Sequence, residues 1–129
     1  MSPMRVIRSM FQVRGFRKSL RPAFLGITYL YLHHRNMRII FISGILAFLL
    51  GVYFHLTGIE LITLCITITL VFMAEIFNTA IELLMNMLTE EYHIKIRMVK
   101  DIAAGIVVLA CLNALAVAGI LFLRRIIAR

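Results

Sequence analysis

Residues 60–88 read ELITLCITITLVFMAEIFNTAIELLMNML. Neither Gly nor Pro interrupts the run, and apolar residues fill most of it. As a helix it would measure about 43 Å at 1.5 Å per residue, longer than the ~30 Å hydrocarbon core of a bilayer. It is therefore expected to span a membrane and to project on one side. Its second half carries Glu75, Asn78, Glu82 and Asn86. At 100° per residue these project at about 0°, −60°, −20° and +20°, so all four share one narrow face.

A carboxylate in mid-membrane costs ~2.5–3.5 kcal/mol even on the mildest scale. Two on one stripe need partners. Hydrogen bonds that glue helices together are one solution. A divalent cation is another. Glu75 and Glu82 lie about 10.5 Å apart along the axis, too far to share one ion. Different jobs follow: one carboxylate suits Mg²⁺ and the other suits accepting a substrate proton.

The rest of the chain agrees with a membrane setting. It has 129 residues, is 62% hydrophobic and has a mean hydropathy of +0.97. A soluble domain this small cannot bury so much apolar surface. Ile39 to about Leu56 forms a first apolar run, and Ile102–Leu123 forms a third. Thr57, Gly58 and Ile59 read as a short turn, and Thr89–Asp101 reads as a polar loop in which Thr89, Glu90 and Glu91 resemble a helix N-terminal signal. The expected fold is all-α and integral to the membrane. Residues 1–38 are a basic amphipathic interfacial segment, 39–123 three transmembrane helices, and 124–129 a basic tail. Pro22 should start a helical turn or kink the amino-terminal segment.

The net charge is +8. Arg5, Arg8, Arg14, Arg17, Lys18, Arg21, Arg35 and Arg38 lie before the first apolar run, and Lys95, Arg97 and Lys100 lie in the polar loop. The turn near residue 58 carries none. The positive-inside rule then places the N-terminus in the cytoplasm, with Arg124, Arg125 and Arg129 outside against the rule. Anionic lipid headgroups account for the basic residues, and no nucleic-acid motif is present. Cys65 and Cys111 sit in different apolar runs and read as small membrane residues. There is no soluble nucleotide-binding or hydrolase motif.

Beyond the stripe stand Glu91, Tyr92 and His93, then Lys100 and Asp101. A lysine neutralises phosphate. The aspartate suits fixing that lysine, binding a ribose hydroxyl or capping the third helix. Tyr92 and His93 suit an adenine-like ring. Ordinary solvated caps at the membrane edge have the same composition.

Taken together, AEIFNTAIE (74–82), EYH (91–93) and KDIAAG (100–105) resemble the prokaryotic diacylglycerol kinase family, which includes the undecaprenol kinases of Gram-positive bacteria. FRKSLRPAFLGITY and RNMRI precede them in the family's order, and the resemblance covers roughly 11–123. It implies three transmembrane helices plus an amphipathic surface helix, assembled as a homotrimer with active sites shared between chains. It implies transfer of the ATP γ-phosphate to a lipid hydroxyl, of undecaprenol or diacylglycerol, at the bacterial inner membrane. By the same resemblance Glu75 is the general base with Asn78 beside it, and Glu82 holds the metal. Lys100, Asp101, Glu91, Tyr92 and His93 meet the nucleotide, with Arg14 or Arg17 as a further contact.

Three positions depart from the family's pattern. Asn86 stands where Asp is usual, His34 where a second metal-binding Glu is frequent, and Ile39-Ile40 where Ile-His is common. Neutral Asn lacks charge, and His suits Mn²⁺ or Zn²⁺ better than Mg²⁺. A catalytically impaired relative that binds lipid or partners is the alternative. A small transporter using the Glu stripe is a third reading. Ala110, Ala114 and Ala118 recur at four-residue spacing, which suits close helix contact between copies or within one chain.

Overall fold

A computed structural model describes residues 13–88 and 94–127, with side chains from Lys18 onward. The chain divides into two compact units, Met1–Arg35 and Asn36–Arg129. The described residues form four helices: α1 (Val13–His33), α2 (Arg35–Tyr53), α3 (Gly58–Leu88) and α4 (Ile94–Ile127). No strand occurs among them.

The first unit is dominated by α1, which runs through Pro22 rather than starting there. Leu20, Phe24, Ile27 and Tyr31 recur at three- and four-residue steps, which makes the helix amphipathic. Near its end the His33 ring stacks on Tyr29 at 4.3 Å, and its Nδ1 lies 3.0 Å from the Tyr29 carbonyl oxygen.

In the second unit α2, α3 and α4 are each long and apolar enough to cross a bilayer, with mean hydropathies of 1.8, 2.1 and 2.7. The threonines of α3 do not break this pattern. Thr63, Thr67 and Thr69 donate their hydroxyls to the carbonyls of Ile59, Thr63 and Cys65, at 2.8 to 2.9 Å. Each polar group is thus satisfied within its own helix.

The connection from α2 to α3 is tight because both helix ends are capped. His55 has φ 55, in the left-handed region. The Leu56 N–H donates to the Gly51 carbonyl and the His55 N–H to that of Val52, both at 3.1 Å. That is a Schellman ending. Two residues later Thr57 opens α3 with a capping box. Its Oγ1 accepts from the Glu60 N–H at 3.3 Å, and the Glu60 carboxylate accepts from the Thr57 N–H at 3.4 Å and hydroxyl at 2.9 Å. The turn expected at 57–59 is instead formed by residues 54–57, and α2 stops at Tyr53 rather than Leu56.

Glycine brings α2 against α3. A Cβ at Gly44 would meet Ile68 Cγ2 at 2.8 Å, and one at Gly51 would meet Leu64 Cδ2 at 2.9 Å. Phe41 and Phe72 pack edge to face at 5.6 Å along the same seam.

Helices α3 and α4 run antiparallel. The Arg125 guanidinium donates to Glu60 Oε1 at 2.6 Å near one end of the pair. Phe54, in the α2–α3 turn, contacts Phe122 edge-on there at 5.9 Å. The expected polar loop is shorter than its composition suggests, because α4 already begins at Ile94. Ile, Lys, Arg and Met all propagate helix, and no Gly or Pro stands in 94–101. At the other end α4 continues through Arg124 and Arg125 to Ile127. These are the arginines of the expected basic tail.

Candidate functional site

The polar stripe lies on α3, and its members differ in environment. Glu75 is only 6% exposed, between Ala74 and the α3 turn that holds buried Thr79. The Thr79 hydroxyl donates to the Glu75 backbone carbonyl at 2.9 Å. Asn78 is half-buried, whereas Glu82 and Asn86 are exposed. A single chain therefore encloses one of the two acids of the stripe and leaves the other exposed.

Helix α4 brings a cation to the outer end of the stripe. Lys100 Nζ donates to Asn86 Oδ1 at 2.7 Å. An ammonium only donates, so the contact sets the amide with its oxygen toward α4. Asp101 does not fix Lys100. Its carboxylate lies 3.9 Å from Arg97 Nε, and the two side chains are 73% and 67% exposed. Such a pair contributes little. Nor does Asp101 cap the third span, since it lies two turns inside α4.

Along the axis the order is Glu75, then Glu82 about 10.5 Å on, then Asn86 with Lys100 about 6 Å further. The other end of this face is apolar. Leu64, Thr67, Ile68 and Val71 line a cleft of about 390 Å³ between α2, α3 and α4. Cys111, Ala114 and Ala118 line it from α4. Ala114 and Ala118 thus face the cleft on the side of α2 and α3. Both cysteines are free and partly buried.

Not every expected site residue joins this group. Arg14 and Arg17 lie on α1, and their side chains are outside the described residues. Glu91, Tyr92 and His93 are also outside them. His34 belongs to the amino-terminal unit, where its ring faces that of Tyr29 at 6.3 Å. Among the described residues no three His, Cys, Asp or Glu side chains converge to hold a metal. Glu82 offers a single carboxylate. This still fits Mg²⁺, which is commonly held by one or two carboxylates together with substrate phosphates and water.

Sequence reasoning overlooked Glu60 and Arg125. The Thr-x-x-Glu signal of a capping box was legible in TGIE (57–60). Its partner at Arg125 needed the register of two antiparallel helices.

Comparison with known proteins agrees with this architecture. The sequence model of the family described as prokaryotic diacylglycerol kinase matches residues 21–122. The span includes all of α2 and α3 and most of α4. A diacylglycerol kinase from Synechocystis sp. is 35% identical over 106 residues, which cover 81% of this chain. The chain spans 61% of the length of that relative. With three membrane-length helices and these matches, the chain is a multi-pass bacterial membrane protein and belongs to the prokaryotic diacylglycerol kinase family.

Proposed function

We propose that the chain is an ATP-dependent lipid kinase acting at the cytoplasmic edge of the bacterial inner membrane. The observation that carries this reading is the polar face of α3. It holds a buried carboxylate (Glu75), an exposed carboxylate (Glu82) and a lysine anchored on Asn86, in that order. The order matches an acceptor hydroxyl, a metal-bound phosphate and the body of a nucleotide.

In the mechanism Glu75 accepts the proton of the lipid hydroxyl, with Asn78 orienting that hydroxyl. The lipid oxygen forms a bond to the γ-phosphorus as the bond to the β–γ bridging oxygen breaks, giving a phospholipid and ADP. Lys100 neutralises phosphate charge, which is most of what phosphoryl transfer asks of a protein. Mg²⁺ bound with the nucleotide would neutralise more, and Glu82 is the residue to hold it. Glu91, Tyr92, His93, Asp101 and Arg14 or Arg17 complete nucleotide binding in this reading. The apolar cleft continuing the face lets the acceptor stay in the bilayer.

We also propose a homotrimer. Glu82 is exposed on the single chain, as is Asn113 in the middle of α4. Lipid tails would cover the surrounding leucines but satisfy neither polar side chain. A neighbouring copy would.

The test is phosphate transfer from labelled ATP in mixed micelles with Mg²⁺ or Mn²⁺. Undecaprenol and diacylglycerol are offered in parallel, with Glu75→Gln as the blank. Lipid product that vanishes in the variant supports the kinase and names its acceptor. No product from folded, oligomeric protein would overturn the reading in favour of an impaired relative.

A further inference from the structure

Two polar contacts between α3 and α4, Lys100 with Asn86 and Arg125 with Glu60, lie far apart. Glu60 and Asn86 are about 39 Å apart along α3, and Lys100 and Arg125 about 38 Å apart along α4, at 1.5 Å per residue. The two intervals agree within one residue. One antiparallel register therefore satisfies both contacts.

Between them a cleft opens along the two helices, lined mainly by apolar side chains such as Ala74, Phe77, Ile106 and Ala110, with Asn113 as its polar member. Contacts of that kind discriminate poorly between neighbouring axial positions. A slip of one helical turn, 5.4 Å, presents nearly the same faces again, so such an interface alone leaves that much axial slack.

The Glu60 carboxylate is unusually well placed to remove this slack. The Thr57 capping box holds it before Arg125 arrives, so little side-chain freedom is lost in pairing. The contact is charge-assisted and short, with side chains only 21% and 33% exposed. A one-turn slip of α4 would break it and would carry Lys100 off Asn86.

We infer that the Glu60–Arg125 pair is a register clamp that positions Lys100 against the polar face of α3 from the opposite end of the helix pair. Glu60 and Arg125 are positioning residues and touch no substrate. The kinetic part of the inference rests on the lipid kinase reading; the register itself does not.

The test therefore reads both. In a Cys65→Ala/Cys111→Ala background, Asn86→Cys and Lys100→Cys are joined with a short bis-methanethiosulfonate, each thiolate displacing methanesulfinate to form a disulfide, in detergent-solubilised full chain. Glu60→Ala or Arg125→Ala is expected to lower the cross-linking yield severalfold, and the exchange Glu60→Arg/Arg125→Glu to restore it. With Asn86 and Lys100 intact, either single variant should raise the KM for ATP about tenfold, the loss of one charge-assisted contact. The KM for lipid should stay unchanged, and the exchange should recover the KM for ATP. A purely structural role would instead lower the amount of active protein and leave both KM values in place. An unchanged cross-linking yield in both single variants would overturn the clamp. A responsive yield in a protein that phosphorylates no lipid would retain the clamp and defeat the kinase reading instead.

Discussion

Lys100 reaches across from α4 and donates to the Asn86 amide oxygen on α3 at 2.7 Å. The contact makes Asn86 the acceptor that aims the lysine, so the residue is more than a family aspartate stripped of charge. Because the amide is neutral, it orients the ammonium without cancelling it. Asn86→Ala is expected to raise the KM for ATP about tenfold, the low end for one hydrogen bond to a charged group because the pair is exposed. Lys100→Met should cost more in kcat/KM, since it removes the charge itself. Steady-state rates at varied ATP would separate the two.

Glu75→Gln keeps shape and burial but cannot accept a proton. General-base catalysis contributes roughly 10²–10⁴-fold, and a loss of that size in kcat is expected. Thermal unfolding and oligomer size should match the wild type. If the variant retains more than about a tenth of the rate, Glu75 is not the base.

Glu82 is exposed and carries the only carboxylate assigned to the metal. Glu82→Gln should shift the Mg²⁺ titration of activity to higher concentration, and chelation of the metal should abolish turnover in the wild type. Activity that persists in excess chelator would remove Glu82's proposed role.

Gly44 and Gly51 hold α2 on α3 by having no side chain. A methyl group at Gly44 would sit 2.8 Å from a branch of Ile68, a residue stiff at χ1. Gly44→Val is expected to destabilise the helix pair by about 1–3 kcal/mol. Gly105→Ala, with nothing within 4 Å of the added carbon, serves as the control. Detergent-solubilised unfolding midpoints would show the first falling and the second holding or rising.

His55 pays a conformational cost to end α2. A left-handed residue with a Cβ is disfavoured by roughly 1–2 kcal/mol. His55→Gly should therefore raise the unfolding midpoint by a few degrees, while β-branched His55→Val should lower it. Equal midpoints would mean that the αL ending is not retained in solution.

The spans and the polar stripe were legible because both are periodic. Glu75, Asn78, Glu82 and Asn86 announce a shared face through spacing alone, and helix geometry then has no freedom to separate them. The start of α4 is less legible, because a polar stretch has the composition of a loop. Thr89, Glu90 and Glu91 give a helix N-terminal signal, and no Gly or Pro stands in 94–101. Of the alternatives open to Asp101, fixing Lys100 is not the one seen: the lysine donates to Asn86 instead, and adjacency in sequence is not adjacency on a helix. The Glu60–Arg125 contact joins residues 65 apart. No local pattern encodes such a distance.

The four residues between α2 and α3 close one helix and open the next, and their backbone bonds are largely answered locally. This bears on biogenesis. A hairpin whose tip has its backbone groups answered locally carries mainly the Glu60 charge across hydrocarbon, and the capping box already shares that charge with Thr57. Helices α2 and α3 are then expected to enter the bilayer together, as one preassembled object, before α4 has left the ribosome.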